Sequence, residues 1–207
     1  MTHEKFNCAY DSKLRSHENK LFFKQWVQNP ARLGTLAPIS LRLARDAALN
    51  VPLLETEEQY VVEIGAGTGR LTRALLERGV PPAQLAAIEL DTKLCAFLTE
   101  TLPAVCPQST PPLVVEGDAT YLEELIPSHW VGKVDTVVSA IPFMYLPEEK
   151  RIAIIESAFK VLKPGGKIIH ITYNPKSPIA FSRAYHQTRV VSLWINMPPG
   201  FVWAYTK

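Results

Sequence analysis

Cysteine is scarce in this chain of 207 residues: Cys8, Cys95 and Cys106 form an odd set with no Cys-x-x-Cys spacing. That argues against a disulfide framework or a zinc site and fits a reducing cytoplasm. Long hydrophobic runs are missing as well. No window reaches the ~18 consecutive apolar residues of a membrane span, and Ser139 and Pro142 interrupt the longest stretches. The N-terminus carries charge but no apolar signal core, so no secretory leader is expected. No Gly-Lys-Ser/Thr follows the glycine-rich segment at 65–69, which excludes a phosphate-binding P-loop. What remains, 47% hydrophobic and 20% charged, is the composition of one ordinary globular domain.

Acidic residues are absent after Glu156, where seven Lys and Arg remain. Residues 1–45 are also basic, with eight Lys and Arg against three acids. The middle, 46–156, carries seventeen acids against seven basic residues. A chain basic at both ends suggests a surface that meets something anionic, lipid headgroups or nucleic acid. The bland alternative is that these charges scatter over the surface and cancel.

The pattern divides near residue 50. Before it, Leu14, Leu21, Phe22, Phe23, Trp26 and Val27 fall at helical spacings with Lys13, Arg15, Lys20 and Lys24 between them. Asn29-Pro30 ends that helix, and Ser40 can cap a second one over Leu41–Leu49. From 51 to 207 strands and helices alternate. Strands are expected at Tyr60–Ile64, Leu85–Leu90, Leu113–Glu116, Val134–Ser139 and Lys167–Tyr173. Helices are expected at Gly69–Arg78, Thr92–Thr101 and Glu148–Leu162, with a loop at Pro103–Pro112. Val190–Met197 and Phe201–Tyr205 read as a closing antiparallel hairpin. The expectation is an α/β fold with a doubly wound, mainly parallel, seven-stranded sheet and an N-terminal helical extension.

Glu63-Ile64-Gly65-Ala66-Gly67-Thr68-Gly69 stands at a strand end and opens a helix. Glycines there permit a tight turn and close approach of backbone N–H groups to a ligand. The spacing is G-x-G-x-G rather than G-x-G-x-x-G. Glu89, with Leu90 beside it, ends the second strand, where a carboxylate can accept both ribose hydroxyls. Asp118, with Ala119, follows the third strand, placed for an adenine amino group. Glu63 offers negative charge near a cationic ligand end.

This combination resembles the class I S-adenosylmethionine-dependent methyltransferases, and Leu162-Lys163-Pro164-Gly165-Gly166 matches their usual turn. The resemblance implies a Rossmann-like methyltransferase fold. It implies binding of S-adenosylmethionine, and of its product S-adenosylhomocysteine, by Glu63, Gly65, Gly67, Gly69, Glu89, Leu90, Asp118, Ala119 and Ser139. A narrower resemblance, to the small peripheral bacterial phospholipid N-methyltransferases, runs across nearly the whole chain. Its stretches are Phe22-Phe23-Lys24-Gln25-Trp26, Asn29-Pro30, Gly34, Ala37-Pro38, Val138-Ser139-Ala140-Ile141-Pro142, Ile171-Thr172-Tyr173, Leu193 to Pro199 and Val202-Trp203. It implies methylation of phosphatidylethanolamine towards phosphatidylcholine. It also implies a cytoplasmic enzyme held peripherally on an anionic membrane by the basic helix at 12–28, with Phe22, Trp26, Lys20 and Lys24 at the lipid.

The related ribosomal RNA adenine dimethyltransferases carry Asn/Asp-Leu-Pro-Tyr/Phe after the fourth strand, where the first residue accepts from the target amino group. Here Ala140-Ile141-Pro142-Phe143 stands there, and Ala140 can accept nothing. With residues ending at Lys207, no helical RNA-binding domain is expected either. Nucleic acid is therefore not an expected partner, although a soluble methyltransferase acting on RNA adenine or a small molecule remains the alternative. An amine acceptor must lose a proton, and Tyr173 and the backbone carbonyls from Ser139 to Ile141 are the candidate acceptors. Arg183, Arg189 and Lys176 are candidates for a lipid phosphate. No metal is expected, and His170 and His186 read as a strand and a surface residue rather than catalysts.

Overall fold

The computed structural model describes residues 39–107, 109–177, 186–193 and 199–207. The helix expected at 12–28, with Phe22, Trp26, Lys20 and Lys24, lies outside the described residues, as do Arg183 and the Pro198 turn. Runs of β-branched and aliphatic residues form the strands β1 (Tyr60–Ile64), β2 (Leu85–Glu89), β3 (Leu113–Glu116) and β4 (Val134–Ser139). Every residue of β1, β2 and β4 is buried, as parallel strands covered on both faces require. β5 (Leu162–Thr172), β6 (His186–Leu193) and β7 (Gly200–Thr206) complete one sheet of order β3-β2-β1-β4-β5-β7-β6. β1 to β5 are parallel, and β7 runs antiparallel between β5 and β6.

Several expected boundaries shift: β6 begins at His186 rather than Val190, β5 ends at Thr172 rather than Tyr173, β7 begins at Gly200 rather than Phe201, and two more shift as follows. The second strand ends at Glu89 rather than Leu90, because Glu89 turns its carboxylate back onto the loop. The fifth begins at Leu162, five residues early. Leu162 pairs with Val134 and Lys167 with Thr136, so Lys163 to Gly166 form a bulge inside the ladder rather than a turn before it.

The sheet is coated on both faces. Val62, Ile64, Ala86, Ile88, Val137, Ile168 and Tyr205 build one core with Phe143 and with α5 (Glu148–Val161). Val61, Leu85, Val138, Ile169, Ile171 and Val202 build the other, under α1 (Leu41–Ala48) and α2 (Arg70–Arg78). α3 (Thr92–Thr101) covers β2 and β3, and the short α4 (Leu122–Leu125) lies beside α5.

Ser40 caps α1 by accepting from the Leu43 N–H at 3.1 Å. Leu43, Ala44, Ala47 and Ala48 are buried, and a Cβ on Gly200 of β7 would lie 2.5 Å from Leu43 Cδ2. α1 is therefore part of the packed domain, and the sequence boundary at 50 does not coincide with a packing boundary. Among the described residues, no helix is long and apolar enough to cross a membrane.

Candidate functional site

The strand order reverses between β1 and β4, and the loops after β1, β2, β3 and β4 gather at the carboxyl edge beside that point, where α/β sheets bind ligands. Gly65 and Gly67 both adopt left-handed backbone, φ 71° and 60°. A Cβ on Gly65 would meet Ile141 Cγ1 at 2.6 Å, so the loops after β1 and β4 touch there. A Cβ on Gly67 would meet nothing nearer than the Gly65 carbonyl oxygen at 4.0 Å. Among the described residues, nothing closer than this stands over the crest of the loop. Gly69 caps α2.

Beneath this loop lie two buried carboxyls. Glu89 accepts from the Gly67 N–H at 2.6 Å with Oε2 and from the Asp91 N–H at 2.9 Å with Oε1. It therefore ties the glycine loop to the end of β2, a role the sequence did not suggest. Burial raises its pKa, against those backbone N–H groups. Leu90 beside it is 40% exposed. Glu63 is completely buried; its Oε2 accepts from the Thr72 hydroxyl of α2 at 2.6 Å, and its Oε1 has no partner among the described residues. Burial pushes its pKa up to about 8; the Thr72 hydroxyl opposes this, the Glu89 charge adds to it, and Arg73 opposes it. Thr72 was legible only as an inward position of α2.

Asp118 accepts from the Thr120 N–H at 3.1 Å and from Lys150 Nζ of α5 at 2.8 Å. Partial burial raises its pKa, but the Lys150 hydrogen bond and the Thr120 N–H outweigh that and hold it below the usual range. No spacing rule links residues 118 and 150, so Lys150 escaped notice. Ala119 is buried beside Asp118.

Ser139 is fully buried, and its Oγ accepts from the Ile141 N–H at 3.2 Å. Its hydroxyl therefore shapes the turn into Ile141-Pro142-Phe143. Tyr173 is half-buried against the core under α1, on the side of Ala140. Arg189 lies on the edge strand β6 with its guanidinium 5.9 and 5.8 Å from the Phe201 and Trp203 rings. Register runs Ser139, His170, Trp203, Arg189 across β4, β5, β7 and β6. Three strand spacings of ~4.8 Å place Arg189 roughly 14 Å from Ser139 along the sheet. The structure thus gathers Glu63, Gly65, Gly67, Gly69, Glu89, Leu90, Asp118, Ala119, Ser139 and Ile141 at one edge and leaves Arg189 apart from them. Among the described residues, no group of His, Cys, Asp and Glu is arranged to hold a metal ion.

Known proteins agree with this geometry. Residues 61–166 match the family described as Methyltransferase domain. The chain is 28% identical over 167 residues to an ornithine lipid N-methyltransferase of Singulisphaera acidiphila, covering 81% of this chain and 82% of that one. It is 37% identical over 82 residues to ribosomal RNA small subunit methyltransferase A of a Synechococcus species, but covers only 26% of that protein. In fold it is similar to magnesium protoporphyrin IX methyltransferase from Synechocystis PCC 6803, solved with bound S-adenosylmethionine; the TM-score is 0.61, at 14% identity over 97% of this chain and 99% of that one.

The residues present suit that cofactor. Among the described residues, the space over Gly67 admits its amino-acid end, and the orphaned Glu63 oxygen puts a latent negative charge beneath the loop that would receive a cation. Glu89 at the end of β2 and Asp118 after β3 lie on the same edge, the two positions that the resemblance assigns to the ribose and the adenine. The chain belongs to the methyltransferase domain family, and it is an S-adenosylmethionine-dependent methyltransferase.

Proposed function

We propose that this protein N-methylates the headgroup amine of a membrane lipid, with phosphatidylethanolamine and its mono- and dimethyl forms as acceptors, towards phosphatidylcholine. The observation that carries this reading is the similarity to an ornithine lipid N-methyltransferase over most of both chains. That relative also favours a second acceptor, the amine of ornithine lipid, which presents the same chemistry. Exposed apolar side chains beside the site support a lipid partner: Leu90 at 40%, Tyr121 at 59%, Met144 at 49% and Tyr145 at 63% stand on the loops after β2, β3 and β4. The protein acts peripherally, at the inner face of the cytoplasmic membrane. Its basic N-terminal residues, Lys20 and Lys24 among them, meet anionic lipid, with Phe22 and Trp26 in the headgroup boundary.

The bound cofactor supplies a methyl group on a positively charged sulfur. The residues of the chain hold the amine in line with it, exclude water and receive a proton. Alignment of this kind is worth roughly 7–11 kcal/mol. The amine arrives as an ammonium with a pKa near ~10, and apolar Ile141 favours its neutral form by desolvation. Proton acceptors are the Tyr173 hydroxyl and the backbone carbonyls at 139–141. The Ile141 carbonyl already accepts from the Phe143 N–H at 2.9 Å but keeps a second lone pair. Arg183 is the candidate for the phosphate of the reacting headgroup. Arg189, set roughly 14 Å from Ser139, suits a neighbouring anionic headgroup.

The test is methyl transfer from radiolabelled S-adenosylmethionine to vesicles of phosphatidylethanolamine, its methylated forms or ornithine lipid in an anionic lipid background, with ribosomal RNA as the competing acceptor. Label is expected in the lipid phase only. Full cofactor binding with label in RNA, or in no lipid, refutes the reading.

A further inference from the structure

We propose that His170 is a positioning residue for the methyl acceptor: its ring is the platform that holds the Ile141–Tyr145 turn against the cofactor loop. His170 sits two residues before the end of β5 with no exposure at all, and neither ring nitrogen has a partner among the described residues. Its cross-strand neighbours are Ser139 on β4, where the turn begins, and Trp203 on β7. The Phe143 ring lies almost flat on the imidazole, centroids 4.4 Å apart and planes 15° from parallel. Phe143 is itself 2% exposed, so the stack is sealed from water.

Among the described residues, the turn's other ties to the sheet are the packing of Ile141, Phe143 and Leu146 on the core. Its hydrogen bonds are short-range: Ile141 N–H to Ser139 Oγ, Phe143 N–H to the Ile141 carbonyl, Tyr145 N–H to Pro142 and Leu146 N–H to Phe143. They shape the turn without anchoring it to the sheet. The anchors are Phe143, resting on His170, and Ile141, whose Cγ1 fills the space where a Gly65 side chain would go. One end of the turn thus rests on β5 and the other on the glycine loop. An acceptor amine placed by this turn is aligned with the cofactor only while both rests hold.

The choice of side chain also points to function. A buried imidazole with two unsatisfied nitrogens is a poor core residue beside an aliphatic one. Burial holds the ring neutral, its pKa pushed down to about 3. A neutral flat ring stacks offset on Phe143, where an aliphatic side chain offers no face.

The turnover arm of the test rests on the lipid-amine reading; the exchange arm does not. His170→Ala, Phe143→Ala and the double variant are compared with the wild type in three measurements. They are amide hydrogen exchange over 140–146, the S-adenosylhomocysteine dissociation constant, and kcat and KM on phosphatidylethanolamine vesicles. Each single variant is expected to speed exchange in the turn and lower kcat/KM for the acceptor about threefold to tenfold, the worth of an aromatic stack. Ligand affinity should stay within about twofold. The double variant should be no worse than either single one, since both remove one contact. His170→Phe, which keeps a flat ring, should restore slow exchange; if it fails to fold, the three-variant cycle decides alone. Unchanged exchange, effects that multiply in the double variant, or a parallel loss of ligand affinity overturns the assignment. If the wild type turns over no lipid but the exchange results hold, the lipid reading falls and the positioning role stands.

Discussion

Replacing Glu63 by Gln tests the electrostatics under the cofactor loop. With its pKa pushed up to about 8 by complete burial, this carboxyl is mostly protonated in the cofactor-free protein at pH 7. A cation bound above the loop stabilises the ionised form, so binding at pH 7 should release a proton from Glu63. Affinity should then rise with pH and level off above about 8. The stability effect runs the other way. The folded pKa lies above the ordinary 4.5, so the stability is fully present below 4.5 and is lost as pH rises through about 8. That titration removes up to roughly 5 kcal/mol from the cofactor-free protein. Gln cannot ionise, so Glu63→Gln should flatten the melting temperature over this range and melt higher than the wild type near pH 8. The assay is calorimetric titration at pH 7 in two buffers of different ionisation enthalpy, which counts protons directly. Equal apparent enthalpies for the wild type, or proton release that persists in Glu63→Gln, would falsify the assignment of this proton.

Three further outcomes are expected. Glu89→Ala removes the acceptor of the Gly67 N–H and, on the reading that the resemblance implies, of the ribose hydroxyls. A hydrogen bond to a charged group is worth about 1.5–3 kcal/mol, so cofactor affinity should drop roughly 10- to 150-fold; unchanged affinity in a folded variant removes Glu89 from the site. Lys150→Met frees Asp118 from a donor at 2.8 Å that competes with an adenine amino group. The pair is part-exposed and modest, so affinity for S-adenosylhomocysteine should rise about two- to fivefold; a weaker complex shows instead that Lys150 orients Asp118. Leu43→Ala empties a fully buried site between α1 and Gly200 and should cost about 2–5 kcal/mol in urea unfolding. A loss under about 1 kcal/mol would mean that α1 is dispensable to the domain.

Local pattern was enough for much of the fold. β1, β3 and β4 have the bounds expected from their sequence, and α3 and α5 begin where helical spacing places them. Gly65, Gly67 and Gly69 were legible because left-handed backbone selects glycine in the sequence itself. Two carboxylates at strand ends were legible because a strand's end is a local event. What pairs with what was not. The insertion of β7 between β5 and β6, the bulge over Lys163 to Gly166, the bond from Gly67 to Glu89, the Lys150 ion pair with Asp118 and the stack of Phe143 on His170 all join residues distant in sequence. Their positions follow from how helices close over a twisted sheet. Burial, which sets the protonation of Glu63 and His170, is likewise a property of the assembled molecule: a side chain's residue type states what it can donate or accept, and only its neighbours in space decide whether water is there to do it instead.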